Sequence, residues 1–164
     1  MLSGPKRDQL RAGSMGVIFQ LFNLVPYLSV LQNVALPCRF SSERRGRVEQ
    51  AGGVEAEATR LLDRLGLSDR GVLERKVTDL SVGQQQRVAA ARALIGAPQL
   101  IIADEPTSSV DADNRDRFIQ LLSEEAQASS ASLLFVSHDG ALAAQFDRAL
   151  DLSEINKVAG PVAA

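Results

Sequence analysis

The sequence predicts an α/β fold built around a parallel sheet, and three short apolar runs support this class. The clearest run is residues 100–103, four apolar residues in a row, which is typical of a strand buried on both faces of a parallel sheet. An Ala-rich segment, residues 84–95, precedes it and has the composition and apolar spacing of a helix, with a Gly-Ala-Pro stop after it. Residues 14–20 and 132–137 are the other two apolar runs, and both predict strands.

The remaining elements follow from the same kinds of pattern. Residues 1–13 are polar and contain a Gly-Pro pair, which predicts a loop. Residues 54–65 carry leucines at helical spacing and predict an amphipathic helix. The other predicted elements are a short helix at 29–36, a helix at 113–128, a short helix at 141–146, a strand at 149–152 and a loose tail at 153–164.

Composition narrows the class of protein. A chain of 164 residues is long enough for one domain with a real core. The net charge of −2 and the scattered arginines predict no nucleic-acid partner. Cys38 is the single cysteine, so the sequence has neither a disulfide framework nor a zinc pattern, which fits a reducing compartment. No run approaches the roughly 18 apolar residues of a membrane span, and the N-terminus lacks the pattern of a signal peptide. We therefore expect any link to a membrane to go through a partner protein.

Two carboxylates follow the run at residues 100–103 directly. Asp104 and Glu105 are expected at the carboxyl edge of the sheet, where open α/β sheets bind their ligands. Asp104 would suit a metal, Mg²⁺ held partly through water, and Glu105 would suit a base or a group that orients water. The plain alternative is that the pair ends the strand and caps the segment that follows.

The loop LSVGQ opens the Ala-rich helix and is the second candidate site. Ser81 and Gly83 lie where the first free N–H groups of the helix form an anion-binding site. The alternative is an ordinary serine N-cap. Together with Asp104 and Glu105 at this spacing, however, the loop is hard to obtain by chance.

Two further polar residues end predicted strands. Gln20 ends the first strand and His138, the only histidine, follows the third. Each alone is consistent with an ordinary surface residue. Because the carboxyl ends of parallel strands meet at one edge, we expect both side chains beside Asp104 and Glu105, and convergence is the better explanation.

These motifs together resemble a known family. LSVGQQQR followed by LIIADEPTSSVD resembles the signature loop, Walker B strand and D-loop of ABC-type ATPases. FQLFNLVPYLSVLQNVALP resembles their Q-loop region, particularly in the subfamily that serves lipoprotein-releasing and macrolide-exporting systems. The family's loop is most often LSGGQ, so Val82 is a departure that we expect to be tolerated if its backbone angle suits a β-branched residue.

The resemblance implies a P-loop NTPase-type parallel sheet core with an inserted helical subdomain. The expected division is a residual core at 1–24 ending in the Q-loop strand, a helical subdomain at 25–95, the core again at 96–152 and a tail at 153–164. The family works as a head-to-tail dimer around ATP and Mg²⁺. The resemblance implies that Asp104 and Gln20 bind Mg²⁺, that Glu105 activates water and that His138 contacts the γ-phosphate. It also implies that Ser81, Gly83 and Gln84 close the nucleotide site of the opposite subunit. Asp111 would contact that subunit as well. For Asp111 the alternative is simple capping of the next helix.

One expected motif is not found in the sequence. A P-loop needs GxxxxGK[ST], and none of the lysines, Lys6, Lys76 and Lys157, follows that glycine pattern. In the family the P-loop lies upstream of the Q-loop strand, so we expect this chain to begin after it. Without the P-loop strand, we expect neighbouring strands to face each other across a gap. The chain alone would then rearrange, borrow a strand by self-association or fold poorly.

Two functions remain open from the sequence. The first is the ATP-binding subunit of an ABC transporter, which couples ATP hydrolysis to transport. It would be peripheral on the cytoplasmic face of the inner membrane, and it would meet a membrane permease through the Q-loop and helical subdomain. The alternative is a non-catalytic, truncated ABC-type interaction module. An ABC ATPase of DNA repair or translation is disfavoured because the segment between Q-loop and signature has no long coiled-coil insertion.

Overall fold

A computed structural model describes residues 3–108 and 112–156 of the chain. Its sheet contains three parallel strands, and each strand is hydrogen-bonded to its neighbour in the spatial order β1-β2-β3. These strands are β1 (Met15–Ile18), β2 (Leu100–Asp104) and β3 (Ser132–Val136). The predicted α/β class with a parallel sheet is therefore confirmed.

The described residues also form seven helices. They are α1 (Gly4–Ser14), α2 (Val30–Phe40), α3 (Ser42–Gln50), α4 (Val54–Arg64), α5 (Val82–Leu94), α6 (Ala112–Ala128) and α7 (Leu152–Ile155). Three short 3₁₀ helices lie at Arg70–Val72, Val77–Asp79 and Gly140–Gln145 in the described residues. Helices α2 to α5 all come between β1 and β2 in the chain, so the connection between two adjacent strands carries a whole helical layer.

Helix α5 lies at the centre of the structure, and its sequence explains why. The Ser81 side chain accepts a hydrogen bond from the N–H of Gln84 at 3.3 Å, and the Gln84 side chain accepts one from the N–H of Ser81 at 3.0 Å. This reciprocal capping box fixes the first turn. The many alanines that follow let α2, α4, α6 and β1 pack closely around the helix. Gly96, with φ 72°, lies just beyond the helix end, as predicted.

The contact between α5 and β1 depends on a glycine. A Cβ atom on Gly16 would lie 2.2 Å from the backbone oxygen of Ala93, well inside van der Waals contact. Glycine at this strand position therefore allows the helix backbone to pack directly against the strand backbone.

Two arginines of α3 fasten the carboxyl end of α5 to the rest of the fold. The Arg44 side chain is almost fully buried and donates hydrogen bonds to the backbone oxygens of Ala93 (3.3 Å), Ile95 (2.9 Å) and Met15 (2.6 Å). Arg47 donates to the backbone oxygens of Gly96 and Gly13, each at 2.7 Å. Burial lowers the pKa of Arg44 to about 10, which leaves the guanidinium charged at neutral pH. The carbonyl oxygens at the negative end of the α5 dipole partly balance that charge.

The sheet is covered mainly on one face. Ile101 and Ala103 of β2 are fully buried beneath the helices, whereas Leu134 and Val136 of β3 are 49% and 44% exposed on the other face. The prediction that residues 100–103 are buried on both faces is therefore wrong. Burial alternates along β2 because α5 and α6 pack against the sheet from the side of Ile101 and Ala103.

The first segment of the chain also differs from its prediction. Residues 1–13 are predicted as a loop, but from Gly4 onward they form helix α1. Pro5 lies in the first turn of this helix, where its missing N–H and fixed φ are tolerated. The Gly-Pro pair therefore marks the start of a helix rather than a loop.

The last predicted strand is also wrong. Residues 149–152 are irregular until α7 begins at Leu152. The Asp151 side chain accepts a hydrogen bond from the N–H of Ser153 at 2.8 Å and so caps this short helix. All of these residues are exposed, so no packing favours an extended strand.

The other predicted elements are found close to their expected places. These are the strands at 14–20 and 132–137, the helices at 29–36, 54–65, 84–95 and 113–128, and the short helix at 141–146, which is a 3₁₀ turn. The predicted division into core, helical subdomain and tail stays a prediction, and residues 157–164 of the tail lie outside the described residues. Within the described ranges, no helix is both long enough and apolar enough to cross a membrane.

The expected gap inside the sheet is not found. Strand β2 is paired along its length with β1 on one side and with β3 on the other. The edge of β3 that faces away from β2 has no partner strand in the described part of the chain. The open position therefore lies at the edge of this sheet rather than in its middle.

The Gly16 contact gives a direct test of this packing. Replacing Gly16 with Ala should lower the free energy of unfolding by about 1–3 kcal/mol, because two backbones must move apart to admit the methyl group. Urea unfolding followed by circular dichroism measures this change. Gly46→Ala is the matched control, because a Cβ there meets nothing within 4 Å. It should stabilise α3 by about 0.5–1 kcal/mol through helix propensity. Equal stability of the two variants would contradict the packing argument.

Candidate functional site

The candidate site lies at the carboxyl edge of the sheet. The strand register aligns Ile18 with Ala103 and Asp104 with Val136, so the carboxyl ends of the three strands lie side by side at about the same level. Gln20, Asp104, Glu105 and His138 therefore follow the strand ends along the same edge of the sheet. This placement matches the edge that open α/β sheets use for ligands.

Glu105 and His138 are the two predicted site residues that the structure joins directly. The Glu105 carboxylate accepts a hydrogen bond from the backbone N–H of His138 at 2.8 Å, through Oε1. The same oxygen lies 2.7 Å from His138 Nδ1, which donates to it when that nitrogen carries the proton. The Glu105 side chain is 20% exposed, whereas that of His138 is 81% exposed. The carboxylate is thus held at the rim of the sheet, and the imidazole extends into solvent.

The backbone at Glu105 is unusual. Its φ is 45°, in the left-handed region that residues other than glycine seldom adopt. Two backbone hydrogen bonds hold this conformation: the N–H of Glu105 donates to Val136 at 3.0 Å, and its carbonyl oxygen accepts from Ser108 at 3.3 Å. Strained residues that are held in this way cluster at functional sites, which supports a role for Glu105.

Asp104 and Gln20, the two residues predicted to bind a metal ion, lie on the same edge of the sheet. Both residues are exposed, Asp104 at the end of β2 and Gln20 two residues beyond β1. The described residues contain no group of three or more His, Cys, Asp or Glu side chains that could hold a metal. A carboxylate and an amide oxygen nevertheless fit Mg²⁺, which keeps several water ligands and often shares the rest with a phosphate.

Some of the hydrogen-bonding groups of the signature loop are already used within α5. The Ser81 and Gln84 side chains accept from each other's backbone N–H groups in the capping box, which leaves the N–H groups of Val82 and Gly83 as the donors of the first turn that are unbonded among the described residues. Gly83 has open space where a Cβ would lie. Val82 is the first residue of α5 and has no positive φ, so its β-branched side chain fits. Within the described residues, no hydrogen bond joins this loop to Asp104, Glu105 or His138. Asp111 lies outside those residues.

Three contacts near the site were not predicted from the sequence. Gln86 of α5, which is 2% exposed, donates from Nε2 to the backbone oxygen of Pro106 at 2.9 Å. Arg92 of α5 donates hydrogen bonds to backbone oxygens in the loop after Gln20. Arg115 forms an ion pair with Asp139 at 2.7 Å, next to His138 in the chain. For Gln86 and Arg92, the sequence signal that could have revealed the contacts is a polar residue within an otherwise Ala-rich helix. The Arg115 pair has no local pattern that could have revealed it.

A cavity of about 310 Å³ opens beside β1 and α2. Its lining is largely apolar and includes Phe19, Pro37 and Phe40, with the side chains of Arg44 and Arg92 also contributing. Phe19 and Phe40 are themselves 41% and 73% exposed. The cavity is therefore an accessible apolar depression next to the loop that follows Gln20.

Comparison with known proteins gives consistent matches. A family model described as ABC transporter matches residues 2–108. The lipoprotein-releasing system ATP-binding protein LolD of Hydrogenovibrio crunogenus is 42% identical over 153 residues, which cover 93% of this chain and 63% of that protein. LolD 1 of Caulobacter vibrioides is 39% identical over 93% of this chain and 62% of its own length. The dimeric structure of MJ0796, a bacterial ABC transporter cassette, superposes with a TM-score of 0.68 and 33% identity, covering 84% of this chain and 58% of that one.

These matches agree with the geometry at the carboxyl edge of the sheet. The parallel sheet, with its acidic strand end and its helical layer between β1 and β2, is a P-loop NTPase-type α/β core with an inserted helical part. The chain belongs to the ABC transporter family. It spans 63% of the length of the Hydrogenovibrio relative.

The contact between Glu105 and His138 leads to a stability prediction. Glu105→Ala should lower the free energy of unfolding by about 0.5–1.5 kcal/mol, because the N–H of His138 loses its carboxylate acceptor. His138→Ala keeps that backbone hydrogen bond and removes only an exposed ring, so it should change stability by less than about 0.5 kcal/mol. Urea unfolding of both variants measures the difference. If His138→Ala costs as much as Glu105→Ala, the ring contact rather than the backbone bond holds this edge together.

Proposed function

We propose that this chain is the ATP-binding subunit of an ABC transporter and couples ATP hydrolysis to transport through a membrane permease. The observation that carries the proposal is the Glu105 carboxylate, held in a strained conformation at the carboxyl edge of a parallel sheet and bonded to His138. Its neighbour Asp104 adds an exposed carboxylate at the same edge. A fixed carboxylate beside a second, exposed one fits a phosphoryl-transfer site, where catalysis depends on positioning and on a metal that neutralises charge.

Glu105 has the central role in this mechanism. Its carboxylate is fixed by the His138 N–H, so it can accept a hydrogen bond from an attacking water and orient that water without a change of rotamer. The exposed imidazole of His138 can turn from the carboxylate towards a terminal phosphate and donate to it. Asp104 and Gln20 would hold Mg²⁺, which neutralises phosphate charge when bound.

The signature loop would act on the nucleotide of a second subunit. The outward N–H groups at the start of α5, beside Ser81, Gly83 and Gln84, form an anion site supported by the helix dipole. Asp111 would contact the opposite subunit next to that interface. The dimeric structure of the MJ0796 cassette supports a dimer of this chain.

The permease would dock beside the loop that follows Gln20. The apolar cavity lined by Phe19 and Phe40 lies there, and Leu21 and Tyr27 are 83% and 78% exposed nearby in the chain. Exposed aromatic and aliphatic side chains around a depression are typical of a protein interaction site. This docking would place the subunit on the cytoplasmic face of the inner membrane. The LolD relatives favour a permease of the lipoprotein-releasing type.

A non-catalytic interaction module is the second candidate. The observation that favours it is the accessible apolar depression lined by Phe19 and Phe40, which is typical of a protein interaction site. Such a module would keep the signature helix and the permease-facing depression and would not hydrolyse ATP by itself.

Calorimetry with Mg-ATP separates these two functions. The proposed subunit should give saturable heat between micromolar and millimolar nucleotide, and Asp104→Ala should weaken binding by at least about tenfold, the equivalent of one charge-assisted contact. Asp63→Asn, an exposed carboxylate on α4, is the control and should leave binding unchanged. No heat up to millimolar Mg-ATP would favour the interaction module, and binding that Asp104→Ala leaves intact would place the nucleotide elsewhere.

Self-association through the open edge of β3 is a separate prediction. The edge of β3 has no partner strand in the described residues, and Leu134 and Val136 of this strand are exposed on the uncovered face of the sheet, so the strand is both unpaired and apolar, which favours pairing with another chain. At micromolar concentration, sedimentation velocity should show a dimer that Leu134→Lys and Val136→Lys together dissociate, because charges on an edge strand oppose pairing. Leu150→Lys, an exposed substitution outside the strand, should leave the dimer intact. A monomer in the parent chain would contradict strand sharing.

A further inference from the structure

The loop that joins β1 to α2, residues 21–29, is held in a strained conformation at its start. We call it the bridging loop. Phe22 and Asn23 have φ values of 61° and 48°, both in the left-handed region. Such angles are tolerated by asparagine but are outliers for a bulky residue such as phenylalanine. Two consecutive residues of this kind persist only where surrounding contacts hold them.

Arg92 of α5 supplies those contacts. Its Nη1 donates to the backbone oxygen of Asn23 at 2.7 Å, and its Nη2 donates to that of Phe22 at 2.6 Å. The planar guanidinium fixes the spacing of its two donors, so it holds both carbonyl groups in one geometry. Arg92 makes no ion pair with a carboxylate in the described part of the chain. Burial lowers its pKa, and the two carbonyl oxygens take the place of a counter-ion.

Asn33 of α2 anchors the remainder of the bridging loop. This side chain is fully buried, and its Oδ1 accepts a hydrogen bond from the N–H of Val25 at 2.8 Å. Its Nδ2 donates to the backbone oxygens of Val25 (3.1 Å), Leu28 (3.3 Å) and Ser29 (3.0 Å). The loop is therefore fastened to α5 at one end and to α2 at the other.

The same helix carries both Arg92 and the signature loop. Helix α5 begins directly after Ser81, and Arg44 ties its carboxyl end to the backbone of Met15 at the start of β1. The bridging loop, β1 and α5 are consequently joined by charge-assisted hydrogen bonds at both ends of the strand. A displacement of the loop at Phe22 is opposed by α5 as a whole.

We propose that Arg92 is a positioning residue that transmits displacement of the bridging loop to the signature loop. This proposal rests on the proposed function, in which the bridging loop faces the permease and the signature loop faces the nucleotide of a second subunit. Arg92 itself touches neither ligand. When a partner moves the loop, the two hydrogen bonds of Arg92 carry that movement to α5, and the N–H groups of Val82 and Gly83 at its amino end move with it.

Hydrogen exchange of the full chain, without nucleotide or permease, tests this link. Arg92→Gln should speed amide exchange at residues 22–25 by about tenfold, the equivalent of about one net hydrogen bond. Exchange at residues 82–86 should rise with it, while α4 and α6 keep the parent rates. Arg92→Lys should give an intermediate result, because one ammonium cannot bridge both carbonyl oxygens in the same geometry. Arg87→Gln, on the same helix but without a hydrogen bond in the described residues, should match the parent chain.

A second variant separates transmission from simple structural support. Pro26→Gly should loosen the bridging loop without removing either anchor. In the parent background, this change should alter exchange at residues 82–86, whereas in the Arg92→Gln background it should alter only the loop. Equal effects in both backgrounds would overturn the proposal, as would unchanged exchange at residues 22–25 in Arg92→Gln. Because no nucleotide is present, failure of Mg-ATP binding would count against the proposed function and leave this result independent.

Discussion

The close approach of α5 to β1 at Gly16 is the constraint on which the rest of the structure depends. It requires a strand residue without a side chain and a helix rich in alanine, so that two backbones can lie in contact. Once the helix is that close, Arg44 can reach carbonyl oxygens on both elements. Gln86 and Arg92 then reach the loops that follow β2 and β1 respectively. One small residue thus permits a set of long-range polar contacts that would not form at a normal helix-to-sheet distance.

Elements encoded by local pattern could be predicted from the sequence. The Ser81 cap and the leucine spacing of α4 each depend on residues a few positions apart, so the start and the buried face of a helix follow from short stretches of sequence. The edge of the sheet was predictable for a related reason. Strand direction decides which end of an apolar run meets the ligand, so Asp104 and Glu105 could be assigned to the carboxyl edge by counting along the chain.

What could not be predicted depends on residues that meet only in three dimensions. Arg44 stands in a polar, Arg-rich segment and resembles a solvated charge, yet it is buried against carbonyl groups about fifty residues away in sequence. The Glu105 contact with His138 spans 33 residues and depends on a left-handed backbone angle that no local pattern encodes. Burial on both faces of β2 was predicted wrongly for a similar reason. Whether a sheet face is covered depends on which helices pack on it, and the strand's own sequence carries little of that information.

The placement of the α5 anchors has a mechanical consequence. Arg92 and the Gly16 contact at Ala93 both lie near the carboxyl end of α5, whereas the signature loop lies at the opposite end. At a rise of about 1.5 Å per residue, the helix between them forms an arm roughly 16 Å long. A tilt of about 10° around the Gly16 contact would therefore swing the free end by roughly 3 Å, about the length of a hydrogen bond. In the proposed dimer, α5 would act as a lever with its fulcrum at Gly16, and a small rotation there would decide whether the amino end of the helix reaches a phosphate.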